Sequence, residues 1–138
     1  MWAGLTVWLV PIAAALGAVV RLLCDWHLPV RGVLAANLAG SFLAGAAAAV
    51  LVGHVSPGAP SAVEAAPAAQ AGLTLLLGFT TALTTFSTVS VRTAELLDQR
   101  RWGPAARMWS AHLGGGLLAA LAGVVPVSYT HLTLPTKA

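Results

Sequence analysis

Charge is what this chain lacks most. Asp, Glu, Lys and Arg make up 8% of its 138 residues, against roughly 25% in a soluble globular domain. A normal aqueous surface cannot be assembled from so few ionic groups, so a freely soluble domain is excluded. The acidic side is thinnest. Asp25, Glu64, Glu95 and Asp98 are the whole set, and all lie at or beyond the ends of apolar runs. No carboxylate is therefore left in mid-membrane to exchange protons for a cationic substrate, as a small multidrug-type transporter requires. Seven basic residues are too few and too scattered for a nucleic-acid surface; in such a chain they act as topology signals. One cysteine, Cys24, closes no intrachain disulfide and forms no redox motif. Nothing resembles a nucleophile–base pair or a set of metal-ligating side chains, which argues against an enzyme. There is no internal repeat, so symmetry in the working unit has to come from association of chains.

What is present is apolar: 58% of the residues are hydrophobic and the mean hydropathy is +0.84. Four uncharged stretches are near or above the roughly 20 residues that cross a bilayer as a helix: Trp2–Val20, Gly32–Gly53, a region inside Ala65–Val91, and Met108–Val127. No Lys or Arg precedes the first apolar run and nothing like a soluble mature domain follows it, so it reads as a retained helix and not a signal peptide. Between the second and third spans, His54–Ala69 carries Pro57, Pro60 and Pro67 with Gly58, Ser56 and Ser61, a composition that suits a solvated loop. The connections around Cys24–Val30 and Asp98–Pro104 are short, which makes sequential helices antiparallel neighbours. The expectation is an all-α membrane protein with one four-helix transmembrane domain over residues 1–127. The tail Ser128–Ala138, SYTHLTLPTKA, departs from the Ala/Gly/Leu texture before it and is expected to be non-native or disordered.

Two features stand out against this background. Helix 2 places Ala36, Gly40 and Ala44 on one line and Ser41 and Gly45 on the next; small residues four apart let membrane helices approach closely. Asn37 breaks that pattern, since a mid-span amide brings two N–H donors and a carbonyl that must be satisfied. It is either an interhelical hydrogen-bonding element or a donor lining a path for an anion. The second feature is Thr80–Ser90, TTALTTFSTVS, with seven hydroxyls and Phe86 in eleven residues. Threonines on membrane helices often bond back to the preceding turn, but seven exceed that habit, and unpaired polar groups are costly in hydrocarbon. The cluster should face protein, water or an ion path. β-Branched residues also weaken the helix locally, and an unwound turn at membrane depth would present carbonyls to a cation. Phe86 is either ordinary packing or a ring whose positive edge faces an anion.

These residues resemble the three signatures of the Fluc/CrcB fluoride-channel family: Gly17-Ala18-Val19-Val20-Arg21, then Gly32 through Asn37 to Phe42, then Gly78 through Thr84-Thr85-Phe86-Ser87-Thr88. The resemblance runs in order along the chain up to Val127. It implies a four-helix subunit with a broken third helix, an antiparallel dimer, and two narrow fluoride pores. It also implies the site residues. Asn37 would be the pore donor on helix 2, Arg21 would stand at the vestibule, and Phe86, Ser87 and Thr88 would line the pore. Backbone carbonyls of Thr81 and Thr84 from both subunits would bind a structural Na⁺ on the dimer axis. Such a set suits fluoride, which must exchange its water for N–H and O–H donors and ring edges.

The chain departs from the family pattern at several positions. Val89 stands where a second Phe is usual and Arg92 where a Glu is common. Thr81 and Ala82 replace a glycine pair. The usual hydroxyl of helix 4 falls at His112, with Ser110 close by; both are candidate pore residues. If the spans alternate, Arg21, Arg31, Arg92, Arg100, Arg101 and Arg107 share one side, leaving only Lys137 on the other. The positive-inside rule then puts both termini outside the cytoplasm. That bias implies a multi-pass protein of the inner (plasma) membrane whose partner is an inverted paralogous subunit, with an antiparallel homodimer as the other arrangement. A non-conducting assembly subunit of a heteromeric channel and a small multidrug-type transporter are the alternative functions.

Overall fold

In hydrocarbon a backbone must satisfy its own N–H and C=O groups, so uncharged Ala/Leu/Gly runs of this length form helices. The computed structural model describes residues 2–29, 31–53 and 67–133, and every regular element among them is an α-helix. These are α1 (Trp2–His27), α2 (Gly32–Gly53), α3 (Pro67–Leu83), α4 (Ser87–Asp98) and α5 (Trp102–Thr133). Four spans are long and apolar enough to cross a bilayer: Val7–His27, Gly32–Leu51, Gln70–Asp98 and Trp102–Pro126. The third consists of α3 and α4, separated by a break at residues 84–86. Large apolar side chains such as Trp8, Leu22, Leu117 and Leu118 point outward, while the buried apolar set among the described residues is small: Val33, Ala36, Ala47, Leu83, Val89 and Ala105. This inversion of the soluble pattern is what lipid as solvent allows. The chain is an all-α membrane protein with four transmembrane spans.

Several boundaries differ from the sequence reading. Helix α1 runs to His27, so Cys24–His27 is helical and the first connection is only four residues, 28–31. Backbone bonds from Leu28 N to Cys24 O and from Gly32 N to Leu28 O carry the chain tightly into α2. Helix α3 starts at Pro67, where a proline fits because the first helical N–H has no partner to lose; the rest of the expected loop, His54–Ala66, lies outside the described residues. Helix α5 begins at Trp102, six residues before Met108, and accommodates Pro104 in its first turn. It also continues through Thr133, so the first six residues of the Ser128–Ala138 segment are helical. Residues 134–138 lie outside the described residues.

Packing is organised by spans running in the same direction, not mainly by sequential ones. The most extensive contacts are α1 with α3 and α2 with α5. Along α2 and α5 the pairs ascend together, Asn37 beside His112 and Gly45 beside Ala120, so spans two and four are parallel and the four spans alternate. A Cβ on Gly45 would strike the Ala120 carbonyl, and one on Gly123 the Phe42 carbonyl. The Gly45 half of the helix 2 small-residue face therefore serves α5, while Gly40 faces Thr80 and Thr84 of the third span. Helix α4 ends in a Schellman motif. Arg100 N–H bonds to Leu97 O and Arg101 N–H to Leu96 O, with Arg100 at φ 56° where glycine is usual.

Candidate functional site at the broken third span

The hydroxyl cluster divides into two groups. Thr80 and Thr81 donate to Leu77 O at 3.1 and 2.7 Å, Thr84 to Thr81 O at 3.3 Å and Ser90 to Phe86 O at 3.0 Å, the back-bonding expected of such residues. Thr85, Ser87 and Thr88 instead join one another, with Thr85 Oγ1 3.1 Å from Ser87 Oγ and 3.3 Å from Thr88 Oγ1. Their meeting point is the break. The Thr88 N–H is directed at Thr85 Oγ1 at 3.4 Å.

Asn37 fastens this break from α2. The Thr85 N–H donates to Asn37 Oδ1 at 2.8 Å, and Asn37 Nδ2 donates back to Thr85 O at 3.1 Å. Nδ2 also lies 3.0 Å from His112 Nδ1 on α5. One amide thus ties together three of the four spans. A helix here would direct the Thr85 N–H to Thr81 O and the Thr88 N–H to Thr84 O; both are diverted, to Asn37 and to the Thr85 hydroxyl. Among the described residues, no backbone N–H reaches the carbonyls of Thr81 and Thr84.

Beside the break lies an open groove of about 430 Å³ that brings together Asn37, Thr81, Thr84, Phe86 and His112. The lining contains no carboxylate. Phe86 is 67% exposed and meets Trp109 nearly edge-on, with ring centroids 5.6 Å apart and planes at 74°. Ser87 and Thr88 line a different cavity with Val91, Arg92 and Glu95, and the Thr85 hydroxyl, which bonds to both, lies on the groove side. Ser110 is exposed and two residues from His112, which puts it on the opposite side of α5. Arg21 lies on α1 and lines neither cavity; a third cavity, of about 590 Å³, is instead walled by Arg31, Arg92 and Arg107. Arg92 pairs with Asp25 at 2.9 Å and ties the end of α1 to the middle of α4.

Three participants were not singled out from sequence: Thr85 as the anchor of Asn37, Trp109 beneath Phe86, and the arginine-walled cavity. A lone mid-span amide facing a β-branched run signals the first. The other two depend on how α4 lies against α5.

Fold and site together define a small polytopic membrane protein whose third span is broken at a hydroxyl-lined groove and held there by an amide from the second. The chain belongs to the CrcB family: the family described as "CrcB-like protein, Camphor Resistance (CrcB)" matches residues 8–124. Among its relatives, the fluoride-specific ion channel FluC of Pseudomonas paraeruginosa is 34% identical over 132 residues, covering 88% of this chain and 96% of that protein. FluC of Variovorax paradoxus is 36% identical over 126 residues, covering 84% and 93%. FluC of Chromobacterium violaceum is 33% identical over 129 residues, covering 85% and 93%.

Proposed function

We propose that this chain is a pore-forming subunit of a fluoride-selective channel that lets fluoride leave the cytoplasm by passive electrodiffusion, lowering its toxicity. The observation that carries this reading is the single groove where Asn37, Phe86 and His112 converge with threonines and no carboxylate. Hydroxyls, amide hydrogens and ring edges are what a small, strongly hydrated anion needs in exchange for water. No carboxylate lines this groove to exchange protons for a substrate. The names of the relatives agree with this substrate.

The same reading extends to location, cation and partner. The arginine-rich end faces the cytoplasm across the inner (plasma) membrane. A structural Na⁺ fits the carbonyls of Thr81 and Thr84, which the break has released from the helix ladder. As a hard cation it takes oxygen ligands, and it would offset the charge of a passing anion. Among the described residues no three His, Cys, Asp or Glu side chains converge as an alternative metal site. The partner is an inverted paralogous subunit, since six arginines toward one end disfavour insertion of the same chain both ways. One observation favours a second reading as an assembly subunit without a pore of its own: the Asn37 amide is already engaged within the subunit.

Growth in fluoride tests these readings. Cells without fluoride efflux should be protected by this chain coexpressed with an inverted paralogue, and not by this chain alone. In the pair, Phe86→Ile keeps bulk but removes the polarised ring edge, and should reduce protection. No protection by the pair contradicts the channel reading; unreduced protection with Phe86→Ile assigns this chain the assembly role.

A further inference from the structure

Two cavities meet at one polar side chain. His112 lines both the hydroxyl groove and the cavity walled by Arg31, Arg92 and Arg107. The other residue common to both linings is Val89, which is buried and offers an anion no donor. The state of His112 follows from its neighbour. The Asn37 amide cannot be flipped, because Oδ1 receives the Thr85 N–H and Nδ2 donates to Thr85 O; reversal would set donor against donor and acceptor against acceptor. An Nδ2 hydrogen therefore points at His112 Nδ1, which accepts it through a lone pair. The imidazole proton is on Nε2.

We propose that His112, held by Asn37 through an unprotonated Nδ1, is the latch between the arginine-walled cavity and the hydroxyl groove, and that its release limits the rate of anion passage. The inference rests on the channel reading. Protonation of Nδ1 turns an accepted hydrogen bond into two opposed donors, so the latch lets go. The one N–H of Asn37 that is freed, its other hydrogen staying on Thr85 O, and the imidazolium then face the path as anion donors. The charged groups around this junction are Arg31 ahead of α2, Arg92 of α4 and Arg107 of α5. From α1, Asp25 is tied to Arg92, and α3 brings the hydroxyls of Thr80 and Thr81. An anion in the cavity offsets the repulsion between these arginines and the imidazolium.

The test is fluoride efflux from proteoliposomes holding the full channel assembly, between about pH 8 and about pH 4.5, a span that covers ordinary imidazole titration and reaches below it, since Arg31, Arg92 and Arg107 around the cavity oppose a further cation. Protein-free vesicles give the leak of hydrogen fluoride to subtract. Wild-type flux should rise by about 2- to 10-fold on acidification, the factor that corresponds to one net hydrogen bond. His112→Ser should be fast at every pH, and His112→Phe, which keeps a ring without Nδ1, should respond to pH no more than His112→Ser. A wild-type flux independent of pH overturns the latch, as does an unchanged pH profile in either variant. If the wild-type assembly passes no fluoride at all, the channel reading itself fails.

Discussion

Replacing Asn37 with leucine should destabilise the subunit by an amount that its hydrogen bonds set. The substitution removes Oδ1 from the Thr85 N–H at 2.8 Å, Nδ2 from Thr85 O at 3.1 Å and Nδ2 from His112 at 3.0 Å. Thr85 is 8% exposed, which limits the access of water to the groups left behind. Leaving its N–H and C=O unsatisfied costs about 1–3 kcal/mol each, or about 2–6 kcal/mol together. At the membrane average of about 0.6 kcal/mol per polar pair, three such bonds amount to about 2 kcal/mol, the low end of that range. Leucine keeps the branching at Cγ but is bulkier, so Asn37→Ala, which adds no bulk, separates this effect from overpacking. Unfolding in mixed detergent micelles, followed by tryptophan fluorescence, would report the difference, and fluoride flux should fall with it. A stability within about 0.5 kcal/mol of wild type, the spread of ordinary surface substitutions, would refute the claim that Asn37 fastens the break.

Other contacts give further outcomes in the same unfolding assay. Gly123→Val drives a side chain into the Phe42 carbonyl and should cost at least about 1–3 kcal/mol, because backbone cannot yield as a flexible side chain does. Arg100→Gly relieves the left-handed conformation at φ 56° and should stabilise by about 0.5–1 kcal/mol, after allowing for the freer unfolded chain. Breaking the Asp25–Arg92 pair, whose side chains are 36% and 35% exposed, should cost only about 0.2–1 kcal/mol, less at high salt; exchanging the two residues should recover most of it.

Four spans were legible because uncharged runs of bilayer length have one stable conformation in lipid, and α2 came out with the bounds its sequence suggests. The break was also legible, as a crowd of β-branched hydroxyls without the means to continue a helix. Residue pairing was not. Ser110 and His112 are close in sequence, yet a helix turns about 100° per residue and separates them, so only His112 reaches the groove. Asn37 could be read as a fastener or as a lining donor. The structure shows it fastening the break while it also lines the groove. Helix α1 continues past Arg21 to His27, and its charged end meets Arg92 through Asp25, a partner 67 residues away that local sequence does not reveal.

The most direct measurement is anion efflux from liposomes containing the chain and its partner, with the membrane potential clamped by a potassium ionophore and no proton gradient. The account predicts rapid release of fluoride, with chloride retained. Equal release of chloride, or fluoride movement only when a proton gradient is imposed, would contradict it.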